Sequence, residues 1–299
     1  HRVDRRQRQM CIRDRMGAGA RPGASHAATF PSPQNRKNMS NNLVRGLNTL
    51  ELLAHNAEGL PLHAIADALD VPRSTAHKVL AELVAAGYVR QAEEFMPYRL
   101  TLKLATLGLH YFTSTGVVEL IQPVLDRLAR QSGELARMSL VENERLIWIA
   151  KAQGARSGLR FDAASDPGEE VRLFCSSNGQ AWLSTLPDER ALEIVSRQGF
   201  GGERQYGPNA PKSILEFLER LAFARTSGYA TANDAYEVGT SAIAAPVLNS
   251  DGIAIGAVSV AGPTARMQPE RMTALAPSIL AAAKELSSMS ASILAASRS

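Results

Sequence analysis

Apolar residues recur three and four positions apart through the first third of the chain, and a two-residue alternation takes over beyond it. Leu43, Leu47, Leu50 and Leu53 space out one helix, as an amphipathic stripe does. Leu62, Ile65, Ala66 and Leu69 predict a short second helix, which Asp70-Val71-Pro72 ends, since proline disfavours helical geometry in the residue before it. A third helix is expected from about Arg73 to Ala86. In it Val79, Leu80, Leu83 and Val84 face inward, and Arg73, Ser74, Thr75, His77 and Lys78 crowd the exposed N-terminal end. Gly87 closes it as a left-handed residue would. Tyr88-Val89-Arg90, a polar turn with Glu93 and Glu94, and Tyr98-Arg99-Leu100 then alternate in the manner of a hairpin.

Helix, tight turn, helix and hairpin, in that order, make a winged helix-turn-helix, whose second helix enters the DNA major groove. Double-stranded operator DNA is therefore the expected partner. Ser74, Thr75 and His77 are the candidates for base edges. Arg73, Lys78, Arg90 and Arg99 are expected to hold phosphates, Arg73 with the alternative of reading a guanine. The plainer alternative is a small helical subdomain carrying ordinary solvated charges.

Beyond the hairpin, Leu102, Leu104, Leu107 and Leu109 with Tyr111 and Phe112 predict a linker helix with surplus apolar surface, expected to be a dimer contact. Another helix follows over Val117–Gln131. From Glu134 the period changes. Leu135–Val141 and Leu146–Ala150 are strand-like around a polar turn, and Ser241–Leu248 and Ile253–Val260 flank Asn249-Ser250-Asp251-Gly252, a hairpin signal. Helices are expected over Pro187–Gln198 and Lys212–Thr226, and one continuous closing helix over Pro269–Ala295. Mixed strands with helices segregated around them argue an α+β fold rather than a doubly wound parallel sheet. Four segments result: 1–38, 39–101, 102–116 and 117–299.

Charge changes the picture less than the total suggests. The net charge is +4, but residues 1–38 hold nine Arg/Lys against two Asp/Glu, leaving 24 basic and 27 acidic residues for the rest. DNA binding must then come from locally placed cations, not a strong overall field. Residues 1–38 begin with His and show no structural period; a basic DNA-binding arm is one reading, a non-native segment preceding a start at Met39 the expected one. Two cysteines, Cys11 and Cys175, make no disulfide framework and suit a reducing cytoplasm. The apolar runs stop short of a membrane-spanning length, so no membrane segment is expected.

Catalytic constellations are missing. The chain has no phosphate-binding glycine loop, HExxH, paired CxxC or GxSxG, and none of its six histidines lies in 117–299. A small-molecule hydrolase with a merely structural N-terminal part remains the alternative, and no cofactor or metal is expected. Cys175 reads as a small buried residue. Phe174-Cys175-Ser176-Ser177-Asn178-Gly179-Gln180 reads as a loop entering a helix at Ser177 or Asn178. Unpaired N–H groups there could hold a small carboxylate, or the helix could simply be capped.

Two sets of motifs in series carry a resemblance. Ile65-Ala66, Val71-Pro72-Arg73-Ser74-Thr75-Ala76-His77-Lys78-Val79-Leu80, Leu83, Gly87-Tyr88-Val89 and Tyr98-Arg99-Leu100 form the first. Gly228-Tyr229-Ala230, Gly239, Ile243-Ala244-Ala245-Pro246-Val247, Ala257-Val258-Ser259-Val260 and Gly262-Pro263 form the second. Over residues 42 to about 295 the chain resembles the IclR-family transcriptional regulators. The resemblance implies a winged helix-turn-helix, a linker helix and a GAF-like effector-binding domain, assembled as a homodimer or dimer of dimers. It implies a cytoplasmic regulator, expected to be a repressor of a catabolic operon, that senses a small organic or aromatic acid. The family's acid-holding loop falls on Ser176, Ser177 and Asn178, and a strand serine on Ser259. Ala242 stands where a cysteine is common, Ala261 where a serine is, Gln180 where a lysine is, and Asp234-Ala235 where an acidic pair is usual. Losing those polar groups implies a larger, more apolar acid, with Met138, Trp148, Leu159 and Phe174 as walls.

Overall fold

The computed structural model describes residues 42–93, 96–155, 161, 168–200 and 206–298. The segment 1–38, Met39 and Leu159 lie outside the described residues. Two compact units divide between Gly108 and Leu109.

The first unit holds α1 (Asn42–Ala54), α2 (Leu62–Ala68), α3 (Arg73–Ala85), β1 (Val89–Arg90) and β2 (Arg99–Leu100). Leu50, Leu53, Ile65, Leu80, Val89 and Tyr98 form its core. Only part of each predicted stripe is inside: Leu43, Leu47 and Val84 are exposed. The turn after α2 is made by Asp70 in left-handed geometry, φ 51°, with Val71 N–H donating back to Ala66 O at 3.1 Å. Asp tolerates that region, so Asp70 and not Pro72 closes α2. Gly87 closes α3 at φ 78°, and Tyr88 N–H reaches Leu83 O at 3.0 Å, the hydrogen bond of a glycine-terminated helix. In the wing, Arg90 lies opposite Arg99, and Leu60 adds a bridge to Tyr98 on the other edge. Among the described side chains of the linker helix α4 (Lys103–Thr115) none is buried; Leu102, just before it, and Leu107, Leu109 and Tyr111 within it are all exposed.

The second unit is built on a five-stranded antiparallel sheet of β3 (Leu135–Glu142), β4 (Arg145–Gln153), β5 (Ala230–Asn233), β6 (Thr240–Leu248) and β7 (Ala254–Pro263), in the order β4-β3-β7-β6-β5. Central β7 is buried throughout, which is why Ala254–Val260 reads as an apolar run. Asn249 makes the turn into it, its Oδ1 accepting from Asp251 N–H at 3.0 Å and Ile253 N–H at 2.9 Å.

One face of the sheet packs on α5 (Val117–Ser132), α9 (Pro269–Ser288) and α10 (Ser290–Arg298), with Ile121, Leu125, Met138, Ile243, Val258 and Ile279 between them. The other face carries α6 (Ser177–Leu183), α7 (Asp188–Gln198) and α8 (Ile214–Ser227), over Trp148, Phe174, Trp182 and Phe217. The fold is α+β, as the strand and helix pattern predicts.

Two predicted features differ. The closing helix is broken at Met289, with a 62° bend between α9 and α10. Ser287 and Ser288 donate to Ala283 O and Glu285 O at 2.7 and 2.6 Å, and such back-bonding bends helices. The bend returns Ile293 to the core, where it is fully buried. No single helix among the described residues is long and apolar enough to cross a membrane. Strand β5 went unpredicted because four residues with two alanines carry almost no alternation signal.

Candidate functional site

Two separate places in the molecule bring chemistry-bearing side chains together. On the first unit, α3 begins at Arg73 behind Pro72, so its first N–H groups have no side-chain cap. Arg73, Ser74, His77 and Lys78 are exposed and Thr75 is half-buried, while Ala76, Val79 and Leu80 anchor the opposite face. One turn and a half of helix thus presents two cations, two hydroxyls and an imidazole outward. Arg90 is exposed on the wing, where Arg99 faces it and pairs with Glu58 at 3.2 Å. That pair is open to solvent, and such pairs contribute about 1 kcal/mol or less, so a phosphate can compete for Arg99.

The second place is a cavity of about 30 Å3 in the second unit, between the sheet and α6. Room of that size suits one or two waters or the head of a small anion. Trp148, Ser176, Ser177, Asn178 and Ala242 lie on its wall, as the sequence suggests. Their duties differ from the expectation. Ser176, not Ser177 or Asn178, is the N-cap of α6: its Oγ accepts from Gly179 N–H at 3.1 Å and donates to Arg172 O. Asn178 is buried, and its amide donates to Ser139 Oγ and Ala257 O, both at 3.1 Å. It pins α6 to β3 and β7.

Two predicted wall residues, Met138 and Phe174, and Asp234 of the altered acidic pair are placed off the cavity wall. Met138 is fully buried on the opposite face, among the α5 and α9 side chains. Strand alternation requires this, since successive side chains point to opposite faces and its neighbour Arg137 takes the cavity side. Phe174 packs behind α6 in an aromatic cluster, 4.9 Å from Tyr206 and 6.1 Å from Phe200 between ring centroids. Asp234 builds a loop: at φ 46°, its Oδ1 accepts from Gly239 N–H at 2.6 Å and Thr264 Oγ1 at 2.9 Å. The loop so folded brings Tyr236 to the cavity.

Arg137 is the residue that sequence reasoning missed. Its guanidinium stands over the Trp148 ring, with Cζ 3.9 Å from the centroid, and 5.7 Å from that of Phe161. It is buried, and its Nε has no hydrogen-bond partner. Burial lowers its pKa from the usual arginine value to about 10, against the opposing influence of Tyr236 and Glu237; it stays a cation at neutral pH. Directly opposite in register on β7 is Ser259, fully buried, whose Oγ also lacks a partner. These two are the buried side-chain atoms left without partners among the described residues. Buried polar groups are almost always satisfied; Arg137 is on the cavity wall, whereas Ser259 is not among the residues that line it. A lone arginine within the apolar strand Leu135-Ala-Arg-Met-Ser-Leu-Val141 is the signal that could have revealed it. By contrast Glu134, also buried, is matched by a bidentate Arg266 at 2.5 and 2.8 Å. No group of His, Cys, Asp and Glu among the described residues could hold a metal ion.

Both places match known proteins. The IclR helix-turn-helix domain matches residues 42–93, and the family described as bacterial transcriptional regulator IclR C-terminal matches residues 109–288. The transcriptional regulator BhcR of Paracoccus denitrificans is 30% identical over 248 residues, covering 82% of this chain and 85% of that protein. The transcriptional repressor IclR of Escherichia coli is 26% identical, covering 82% and 88%. Among solved structures, an IclR-type regulator from Alicyclobacillus acidocaldarius superposes with TM-score 0.70 at 22% identity, covering 83% of this chain and 97% of that one. An IclR homologue from Microbacterium hydrocarbonoxydans complexed with 4-hydroxybenzoate gives 0.65 at 20% identity, covering 82% and 99%. These likenesses establish the winged helix-turn-helix and GAF-like folds, and the named relatives are regulators, which sets the hydrolase alternative aside. With a DNA-reading helix in one unit, an effector-binding domain in the other and family matches across both, the chain belongs to the IclR family of bacterial transcriptional regulators.

Proposed function

We propose that this regulator represses a catabolic operon and releases or repositions on its operator when a small organic acid enters the cavity beneath α6. The observation that carries the reading is Arg137: a buried cation facing the cavity, with a donor that no described residue satisfies. A carboxylate supplies the missing charge and acceptor together. Ser177, Asn178 and Trp148 complete the wall. The 4-hydroxybenzoate bound by the Microbacterium hydrocarbonoxydans homologue supports an aromatic or similarly apolar acid. At about 30 Å3 the cavity admits the carboxylate head first; a ring enters only as the Tyr236 loop or Trp148 yields, which is the movement an effector signal needs.

On the DNA, Ser74, Thr75 and His77 read base edges, and Arg73, Lys78, Arg90 and Arg99 hold phosphates. The exposed apolar residues of and beside α4, Leu102, Leu107, Leu109 and Tyr111, support a homodimer or dimer of dimers, whose paired heads address two half-sites. The names of relatives from Escherichia coli and Salmonella typhimurium, repressors both, support repression.

The test is a titration of the full chain onto labelled DNA from upstream of its own gene, with and without 4-hydroxybenzoate and other small acids. Specific binding that weakens with one acid is expected. Equal affinity for random DNA, or an affinity indifferent to every acid, overturns the reading.

A further inference from the structure

The strand that carries Trp148 to the cavity wall becomes irregular at its next residue. Across the β3–β4 pair Met138 faces Ala150 and Ser139 faces Trp148, so Ile149 is an extra residue, a β-bulge. Bulges gather beside binding sites because they re-aim side chains. This one stands where the two faces of the sheet divide. Trp148 lies in the core beneath α6 and α7, whereas Ile149 and Ala150 both lie with Ile121, Val124 and Leu125 of α5 on the other face. Trp148 and Ile149 are thus neighbours in the chain that belong to opposite layers.

The same point is held from the cavity side. Asn178, on the wall at the start of α6, donates through its amide to Ser139 Oγ and to Ala257 O, and Ser139 Oγ itself donates to Ala257 O, each at 3.1 Å. Ser139 is fully buried and is not among the residues that line the cavity. Gly256 on β7 leaves no slack beside it: a Cβ there would overlap Ser139 O and stand 3.1 Å from Met138 Cε. Interiors packed this closely transmit displacement rather than absorb it. On the far face, Gln122 of α5 donates to Lys151 O of β4 at 3.3 Å. Helix α5 follows the linker helix directly, with Gly116 at φ 66° between them.

We propose that Ser139 and the Ile149 bulge form a relay through the sheet, by which a displacement of Asn178 or Trp148 at the cavity shifts α5 and the chain leading to the linker helix. This rests on the acid-effector reading and adds the route by which the acid is felt. Ser139 is a positioning residue that acts through Asn178, and Ile149 is its counterpart on the α5 face. Coupling of this kind is reciprocal, so loosening either end of the relay loosens the other.

The experiment starts with the full chain and no ligand, comparing hydrogen–deuterium exchange of wild type, Ser139→Ala and Ile149→Val. Ser139→Ala removes one buried hydrogen bond on the cavity side. It should speed exchange by about fivefold in α6 and also across the sheet in α5, with α7 and α8 unchanged. Ile149→Val trims the bulged side chain on the α5 face and should speed exchange in α6 as well as in α5. A change confined to the mutated face, or spread alike over every helix, overturns the relay. Operator titration with 4-hydroxybenzoate and benzoate then separates the relay from the reading beneath it. Wild-type affinity for the operator should fall by about 5–150-fold with acid, and that of Ser139→Ala by less than about twofold, although acid binding read by thermal shift stays at the wild-type level. A Ser139→Ala response equal to wild type overturns the relay and leaves the acid-effector reading standing. A wild type indifferent to both acids counts against that reading, and the exchange pattern still decides the relay.

Discussion

Replacing Arg137 by methionine should make the empty protein more stable while abolishing its response to acids. Burial lowers the Arg137 pKa to about 10, about 2.5 pH units below the usual arginine value, and one unit is about 1.36 kcal/mol. The folded state therefore binds this proton more weakly than the unfolded state, by about 3 kcal/mol. The sign follows from linkage. Below about pH 10 the group is charged in both states and the whole penalty is present. As pH rises through about 10 toward the usual arginine value the folded protein loses the proton first and the penalty shrinks. Methionine retains most of the apolar stem and removes the charge. Against the gain stands the lost stacking on Trp148, worth about 0.5–2 kcal/mol.

The net is a stabilisation of about 1–3 kcal/mol at neutral pH, which for a unit of this size raises the melting temperature by about 3–10 °C. Differential scanning calorimetry of wild type and Arg137→Met at pH 7 and at pH 10.5, without ligand, measures it. The gap should be positive at pH 7 and smaller at pH 10.5. Acids that raise the wild-type melting temperature should leave the variant unmoved. A variant less stable than wild type at pH 7, or one still stabilised by acids, refutes the argument that Arg137 is an uncompensated charge awaiting a ligand.

Three further outcomes test other parts of the molecule. Lys78→Ala should weaken binding to all DNA sequences alike and reduce the slope of log affinity against log salt by about one, measured by fluorescence anisotropy between low and moderate salt. Gly179→Ala should destabilise the second unit by about 1–3 kcal/mol, since a Cβ there overlaps the Leu173 carbonyl; the melting temperature falls and acid binding weakens as α6 lifts from the sheet. Asp234→Ala removes the acceptor for Gly239 N–H and Thr264 Oγ1, and should lower acid affinity by releasing Tyr236 while leaving operator affinity without acid unchanged.

Reading the DNA-binding unit from sequence works because each of its signals is local. The helical spacing of Leu62, Ile65 and Ala66, the left-handed Gly87 and the polar cluster from Arg73 to Lys78 need no distant partner to be recognised. The hairpin at Asn249–Gly252 is legible for the same reason: the turn's own side chain makes its hydrogen bonds. The effector cavity is different. The Phe174–Gln180 loop is visible as a helix entry, but which of its hydroxyls caps the helix is settled by the path of the chain, and the cap fell to Ser176.

The sequence by itself determined the family and the order of the elements other than β5 and the break in the closing helix, because periodicity, turn residues and motif order are properties of neighbours in the chain. Tertiary structure alone decided the cavity. Met138 and Arg137 are adjacent, and only the packing of β3 between two helical layers says that Met138 goes to the core and Arg137 to the ligand side. Ser259 lies 122 positions beyond Arg137 in the chain and beside it in the sheet. Their missing partners are a fact about burial, and burial arises only when strands and helices distant in sequence close around the same space.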